Sequence, residues 1–381
     1  MTFDYAVIGR GLWGSAAAFW LAQAGYRIAL IGPGEPADYA QFDGPFSSHF
    51  DAARITRRID TDPFWAEVST ASMARYGTLQ STSGIPFYAP SGGMMASDGP
   101  EFAARITKVA EATGARTERL SGTELAQRFP MFAFAEGTIG VLDPTGGTID
   151  PRAMRHAHET LAIRHGATVL REIAVALDGG SIRLASGRSV SAGHVLVAQG
   201  SYARLTPLLA PRPDMTVAAR TICLAEVSQS EAERLCNMPS LIWHGAKDES
   251  AHYLLPPVTY PDGRIRLKIG GELTDRLIST QAEARAWFHS GGDPDVGAYL
   301  ENALRGLMPK LEIGSISTAP CILSHNASGY PEISRISDRL TIATACNGAG
   351  AKCADELGRR AASVAAGYDI TLRLALANVE T

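Results

Sequence analysis

No apolar run in this chain approaches the ~20 residues that a membrane-spanning helix needs. Cysteine is scarce, with five residues in 381: Cys223, Cys236, Cys321, Cys346 and Cys353. An odd, scattered set is neither a disulfide framework nor a zinc site, and no metal is expected. Charge of one sign is lacking too. Lys and Arg number 35 and Asp and Glu 39, for a formal net charge of −4. That balance leaves no basic footprint for nucleic acid or an anionic membrane surface. No secretory leader precedes the first strand, so a cytoplasmic location is expected. There is no internal repeat and no low-complexity linker. What remains is an ordinary globular composition, 45% hydrophobic and 19% charged. Such a chain can bury a large core, and its length suggests roughly two domains.

The strongest signal lies in the first thirty-odd residues. Tyr5-Ala6-Val7-Ile8 is a short apolar run, and Gly9-Arg10-Gly11-Leu12-Trp13-Gly14 follows at once. Ser15 to Ala24 reads as a helix and Tyr26 to Ile31 as a second apolar strand. Strand, glycine-rich turn, helix, strand is the context that a dinucleotide fingerprint requires. Gly9 permits the tight turn, Gly11 lets the backbone approach a pyrophosphate, and Gly14 lets helix and strand pack closely. Unpaired N–H groups and the positive end of the helix dipole would face the phosphates. Gly9, Gly11, Leu12, Trp13 and Gly14 are therefore assigned to a cofactor. The acid that usually ends the second strand and accepts the ribose hydroxyls is missing, because Gly32 stands there. Glu35, slightly further on, is the candidate substitute. NAD and FAD both stay open at this point.

Phe46 to Arg58 reads as a polar loop leading into a helix over Phe64 to Thr82. Gly84 to Met95 reads as strands, Glu101 to Thr113 as a helix, and Ser121 to Phe129 as a short helix with a Ser121/Glu124 capping box. Gly137 to Leu142 is expected to be a strand, and Asp150 to Gly166 a helix with Pro151 in its first turn. Val195-Leu196-Val197-Ala198-Gln199-Gly200 repeats the pattern of the first strand and its turn, which adds Ala198 and Gly200 to the cofactor set. From Thr216 onward the runs Ile222 to Val227, His252 to Leu255 and Ile265 to Ile269 read as strands of a mixed or antiparallel sheet. Leu340 to Thr344 is again a buried strand, followed by a glycine-rich turn and an Ala-rich helix to Ala366. The expected fold class is α/β, α+β overall. A discontinuous Rossmann-like domain (1–83, 150–212 and 321–381) carries an inserted mixed or antiparallel β-sheet substrate domain (84–149 and 213–320).

Four further motifs complete the set. They are Ser48-His49-Phe50-Asp51-Ala52-Ala53-Arg54-Ile55-Thr56-Arg57; Tyr253-Leu254-Leu255-Pro256 with Arg266-Leu267-Lys268-Ile269-Gly270; Thr318-Ala319-Pro320-Cys321-Ile322-Leu323-Ser324; and Asn347-Gly348-Ala349-Gly350-Ala351-Lys352. With the layout above, they resemble the FAD-dependent D-amino-acid oxidase superfamily, in its monomeric sarcosine oxidase and N-methyltryptophan oxidase branch. The resemblance spans nearly the whole chain but is concentrated in these motifs. It implies FAD as cofactor, with Ser48, His49 and Arg54 beside it and Arg54 over the flavin ring. Arg57 and Lys352 would clamp a substrate carboxylate, Tyr253 would line the pocket, and Lys268 would serve the reaction with O2. Cys321 would bond covalently to the flavin, and Gly348 and Gly350 would let backbone N–H groups approach its pyrimidine edge.

The chemistry agrees with those roles. A guanidinium holds a carboxylate through two parallel hydrogen bonds and stays charged at any working pH. A fixed ammonium favours a superoxide anion as it forms. The sequence also departs from the branch: Phe50, Ala53 and Glu272 stand where sarcosine oxidases carry histidine, threonine and histidine. The pocket lining therefore differs, and a phosphonate or sulfonate could use the same cationic clamp. His244, His252, His289 and Trp243 come with no metal spacing or triad and are read as packing or pocket lining.

The expected activity is oxidation of a small amino acid or related amine, N-substituted or cyclic, to an imine, with O2 reduced to H2O2 by a monomeric enzyme. The alternatives are an FAD-dependent dehydrogenase passing electrons to another carrier, an NAD(P)-linked protein, and a silent binding subunit of a larger oxidase.

Overall fold

The computed structural model describes residues 2–245, 251–271 and 276–369. Its first sheet has eight strands. Thr2–Ile8 lies parallel to Ile28–Ile31 on one side and to Ser189–Val197 on the other. Thr168–Leu170 and Leu340–Thr344 extend the parallel set, and Ala174–Asp178, Ser181–Leu184 and Glu332–Ser337 are antiparallel additions. The parallel strands read as continuous apolar runs because helices cover them. Ile28, Ala29, Leu30 and Ile31 are all fully buried.

The fingerprint helix runs Leu12–Gln23, three residues earlier than its apolar pattern suggested, with Gly11 at its N-cap. No side chain caps it, so its first N–H groups remain available to a ligand. It packs against the last described helix, Ala354–Ala366. A Cβ on Gly358 would lie 2.4 Å from the Ala16 Cβ, so glycine at that position sets how closely the two helices approach. Asp355 joins four elements at that contact. It accepts from Trp20 Nε1 at 3.1 Å and Arg75 Nε at 2.5 Å, and pairs with His158 Nε2 at 3.0 Å.

The second sheet has nine strands, from Arg276–Leu277 through Thr216–Glu226, Ile265–Gly270, His252–Thr259, Ser240–His244, Gly93–Ser97 and Ile139–Asp143 to Glu118–Leu120. Ser315–His325 pairs with the other edge of Thr216–Glu226 along its whole length. The sheet is antiparallel except where Ser240–His244 runs parallel to Gly93–Ser97. The boundary expected at residue 321 falls inside Ser315–His325, so Cys321 belongs to this sheet and not to the first one. Arg54–Thr56, Gly147–Ile149 and Tyr88–Ala89 form a third, three-stranded sheet. The segment expected to be a polar loop thus contributes a strand around Ile55. Among the described residues, no helix is long and apolar enough to cross a membrane.

Candidate active site

Four parallel strands end at one cleft. Gly9, Gly32, Ala198 and Ala345 follow their last residues directly, and all four line the same cavity. This is the carboxyl edge where open α/β sheets bind ligands. The second sheet closes the far side with Ile222, Ile242, Tyr253, Leu255 and Cys321.

The glycines of the first turn are geometric necessities. A Cβ on Gly9, which has φ +116, would lie 2.2 Å from the Ala198 carbonyl oxygen, and one on Gly14 would lie 1.7 Å from the Gly9 carbonyl oxygen. A Cβ on Gly11 would meet nothing within 4 Å. Its hydrogen therefore keeps room for a ligand, not for the fold. Trp13 Nε1 donates to the Gly350 carbonyl over 2.9 Å, tying the first glycine turn to the last. That last turn, 345–353, precedes its helix: Lys352 sits just before the Cys353 N-cap, not in a helical first turn. Ala345 (φ +58) and Asn347 (φ +45) are left-handed non-glycine residues, a conformation that accumulates at functional sites. The Asn347 side chain holds the turn by donating to the Ala345 carbonyl at 2.7 Å.

Arg10, Gly11, Leu12, Trp13, Ser48, His49, Arg54, Gly200, Gly348 and Gly350 also line the cavity. His49 is 4% exposed, and its Nδ1 has no hydrogen-bond partner among the described residues. Burial, with the charges of Arg155, Arg152, Arg10 and Arg54, pushes its pKa well below the ordinary histidine value. It is a neutral imidazole with one nitrogen left for a ligand. An unsatisfied buried nitrogen, an uncapped helix start and an open Gly11 together suit a dinucleotide diphosphate.

Glu35 is not on the cavity wall. Its carboxylate accepts from Arg152 Nε at 2.6 Å and from the Tyr39 hydroxyl. The missing strand-end acid has a steric reason instead. A Cβ on Gly32 would lie 2.7 Å from the Arg10 Cβ and 2.8 Å from the Arg10 nitrogen. The Arg10 guanidinium is held by Glu159, with Nη2 to Oε1 at 2.7 Å, and it donates to the Pro33 carbonyl at 3.2 Å. Nothing local in the sequence marks Glu159, which is 149 positions from Arg10.

Lys268 and Arg54 were read from the sequence singly and Arg57 and Lys352 as a pair; in the structure each two share an aspartate that was given no role. Lys268 is 1% exposed and is not on the cavity wall; its ammonium donates to Asp51 Oδ2 at 2.7 Å and to the Ala53 carbonyl at 2.5 Å. Asp51 also pairs with Arg54, which does face the cavity. Burial and then the Arg54 charge push the Lys268 pKa well below the lysine range, and Cys321 opposes them; the 2.7 Å contact with Asp51 is the geometric feature that favours the protonated amine. The second pair is Arg57 and Lys352, both on the wall. Asp60 Oδ2 accepts from Lys352 Nζ at 2.7 Å and from Arg57 Nη2 at 3.0 Å. Burial alone would raise the Asp60 carboxyl, but the two cations reverse that and hold its pKa at about 2.

Tyr253 faces Gly270 across two strands, and a Cβ there would lie 2.3 Å from the phenol ring, so the glycine lets the tyrosine lie flat over the strand. Phe50 and Ala53 are off the cavity wall: Phe50 packs edge-on to Tyr39 and His49, and Ala53 is buried. Glu272 lies outside the described residues. His244, His252 and His289 are not on the wall either, and no cluster suited to a metal occurs among the described residues.

The profile of the FAD dependent oxidoreductase family, DAO, matches residues 4–364. The chain belongs to that family. It is 25% identical over 378 residues to the monomeric sarcosine oxidase of Streptomyces avermitilis, covering 96% of this chain and 94% of that protein. The similarity to the N-methyl-L-tryptophan oxidase of Yersinia pestis is shorter: 25% over 149 residues, 39% of this chain and 38% of that one. In fold, this FAD-dependent oxidoreductase resembles NikD, an unusual amino acid oxidase essential for nikkomycin biosynthesis. The TM-score is 0.76 at 22% identity, over 98% of this chain and 97% of the other. The fold class and the FAD cofactor read from the motifs agree with these relationships.

Proposed function

We propose that this FAD-dependent oxidoreductase is an amine oxidase. Its substrate is a small amino acid or related amine, N-substituted or cyclic, which it converts to an imine while O2 becomes H2O2. The observation that carries the reading is the pairing of Arg57 and Lys352 on the wall of the cofactor cleft, brought together from opposite ends of the chain. Bound there, FAD supplies the two-electron redox chemistry.

The chain's own residues bind, orient and exclude. Arg57 and Lys352 hold the acid group of the substrate by charge-assisted hydrogen bonds, which fixes the carbon that carries the amine. Ile55, Ile242 and Leu255 wall the cavity with apolar surface and keep water from it. Tyr253 lines the same space. Arg54 on the wall, with Lys268 behind it against Asp51, would favour negative charge developing in the cleft. Cys321, on the cavity wall, would bond the flavin. Gly9 to Gly14, Ala198, Gly200, Gly348 and Gly350 supply the close backbone contacts, and His49 and Ser48 the polar ones. The division into a discontinuous cofactor domain and an inserted substrate domain, the monomeric state and the cytoplasmic location belong to the same proposal.

Anaerobic titration of the purified protein with N-methyl and cyclic amino acids tests it. Bleaching of the visible flavin bands is expected, and no bleaching by any of them overturns the reading. A second reading, a dehydrogenase using another electron acceptor, is favoured by the burial of Lys268 against Asp51. Stopped-flow mixing of the reduced enzyme with air separates the two, since a dehydrogenase reoxidises slowly.

A further inference from the structure

We infer that Asp60 sets the charge selectivity of the substrate site, which admits one singly charged acid group and turns away dianions. The inference rests on the reading of Arg57 and Lys352 as the acid-binding pair.

The Asp60 carboxylate cannot swing aside for an incoming anion. Its Oδ2 takes the Lys352 and Arg57 bonds, and its Oδ1 accepts from the backbone N–H groups of Thr61 at 2.9 Å and Asp62 at 3.4 Å. Two cations and one fixed carboxylate leave a net single positive charge. Donors are in surplus by comparison. An ammonium has three N–H bonds and a guanidinium five. Asp60 uses one of each, and Arg57 Nε is turned to the Met95 sulfur at 3.3 Å. What remains can hold both oxygens of one acid group. Geometry therefore accepts a carboxylate, a sulfonate or a phosphonate alike, and charge decides among them. A second negative charge would have no counter-ion beside Asp60 and would face the apolar side chains of Ile55, Ile242 and Leu255.

The neighbours keep that charge count constant from about pH 6.5 to about pH 9. Burial pushes the Cys353 thiol up to about 12. Burial, the Arg57 charge and neighbouring His252 lower His244, which favours its neutral form. Burial raises the Tyr76 phenol, which donates to the Lys352 carbonyl at 2.7 Å. Asp62 is engaged as a helix cap and by the Tyr330 hydroxyl.

Isothermal titration calorimetry on the FAD-loaded protein tests this with two probes. Methanesulfonate carries one negative charge throughout that pH range, whereas methylphosphonate passes from one to two. Methanesulfonate affinity is expected to stay level in the wild type, and methylphosphonate affinity to fall about tenfold or more as the second proton leaves. In Asp60→Asn the fall should vanish or reverse. Equal wild-type binding of the two phosphonate charge states overturns the inference, as does an undiminished fall in Asp60→Asn. The wild-type profile decides even if the variant does not fold. If the wild type binds neither anion, the acid-site reading itself fails and takes this inference with it.

Discussion

Lys268 Nζ lies 2.7 Å from Asp51 Oδ2, and both side chains are almost wholly buried although 217 positions separate them. The carboxylate compensates an ammonium that burial would otherwise discharge, and it also weakens the field that ammonium projects. Lys268→Met should slow reoxidation of the reduced enzyme by O2 about 10²-fold. Asp51→Asn should lower the melting temperature, because a buried charge loses its partner, and should slow reoxidation as well, because the unpaired buried ammonium gives up its proton. Stopped-flow absorbance and thermal melts read the two effects. An unchanged rate in Lys268→Met removes the lysine from the oxygen reaction.

Gly11 and Gly14 should respond differently to alanine. Gly11→Ala introduces a methyl that meets no protein atom at an ordinary backbone angle, φ −84. The variant should fold normally and lose FAD affinity, about tenfold or more, because the methyl occupies the diphosphate's approach. Gly14→Ala puts its methyl into the Gly9 carbonyl, so that variant should lose stability itself. Flavin absorbance and circular-dichroism melts distinguish the outcomes.

Restoring the strand-end acid should fail. Gly32→Asp would drive its Cβ into Arg10, whose guanidinium is held by Glu159. A lower melting temperature with no gain in FAD affinity is expected. A gain would show that Arg10 moves aside at little cost.

The Asp60 pKa of about 2, against an ordinary 3.8, makes a pH prediction. A carboxyl whose folded-state pKa is depressed contributes stability above its unfolded value. The contribution, about 2 kcal/mol here, is lost as pH falls from about 4 through about 2. Urea unfolding should therefore show Asp60→Asn less stable than the wild type at neutral pH, with the difference shrinking in acid. A constant difference across that window contradicts the linkage.

Cys321 lines the cavity from the strand Ser315–His325. Acid precipitation should leave yellow colour in the wild-type pellet, and Cys321→Ala should release the flavin to the supernatant. A colourless wild-type pellet rules out the covalent bond.

Much of this was legible along the chain because its causes are local. The Gly9 to Gly14 turn declares itself through glycines that the backbone requires, the capping box at Ser121 and Glu124 through an interval of three residues, and the parallel strands through unbroken apolar runs. The helix over Pro63–Ser83 and the last buried strand, Leu340–Thr344, were readable for the same reason. The edges blurred where context overrides propensity. The fingerprint helix begins at Leu12, and Lys352 stands ahead of its helix because turn geometry, not helix propensity, shapes residues 345–353. The strand at Arg54–Thr56 was hidden because only its partner Gly147–Ile149 makes it one.

By itself, the order of residues determined the architecture, the cofactor class and the basic residues of the cleft. The architecture follows from glycine stereochemistry and apolar periodicity, which act within a few residues, whereas FAD and the roles of the basic residues came from the resemblance of the motifs to a known family. Only the tertiary structure decided which carboxylate each cation meets: Asp51 for Lys268, Asp60 for Lys352, Glu159 for Arg10. An aspartate or glutamate looks the same in sequence whether solvated or buried, and Coulomb pairing across 149 to 292 positions depends on where the folded backbone places the charge.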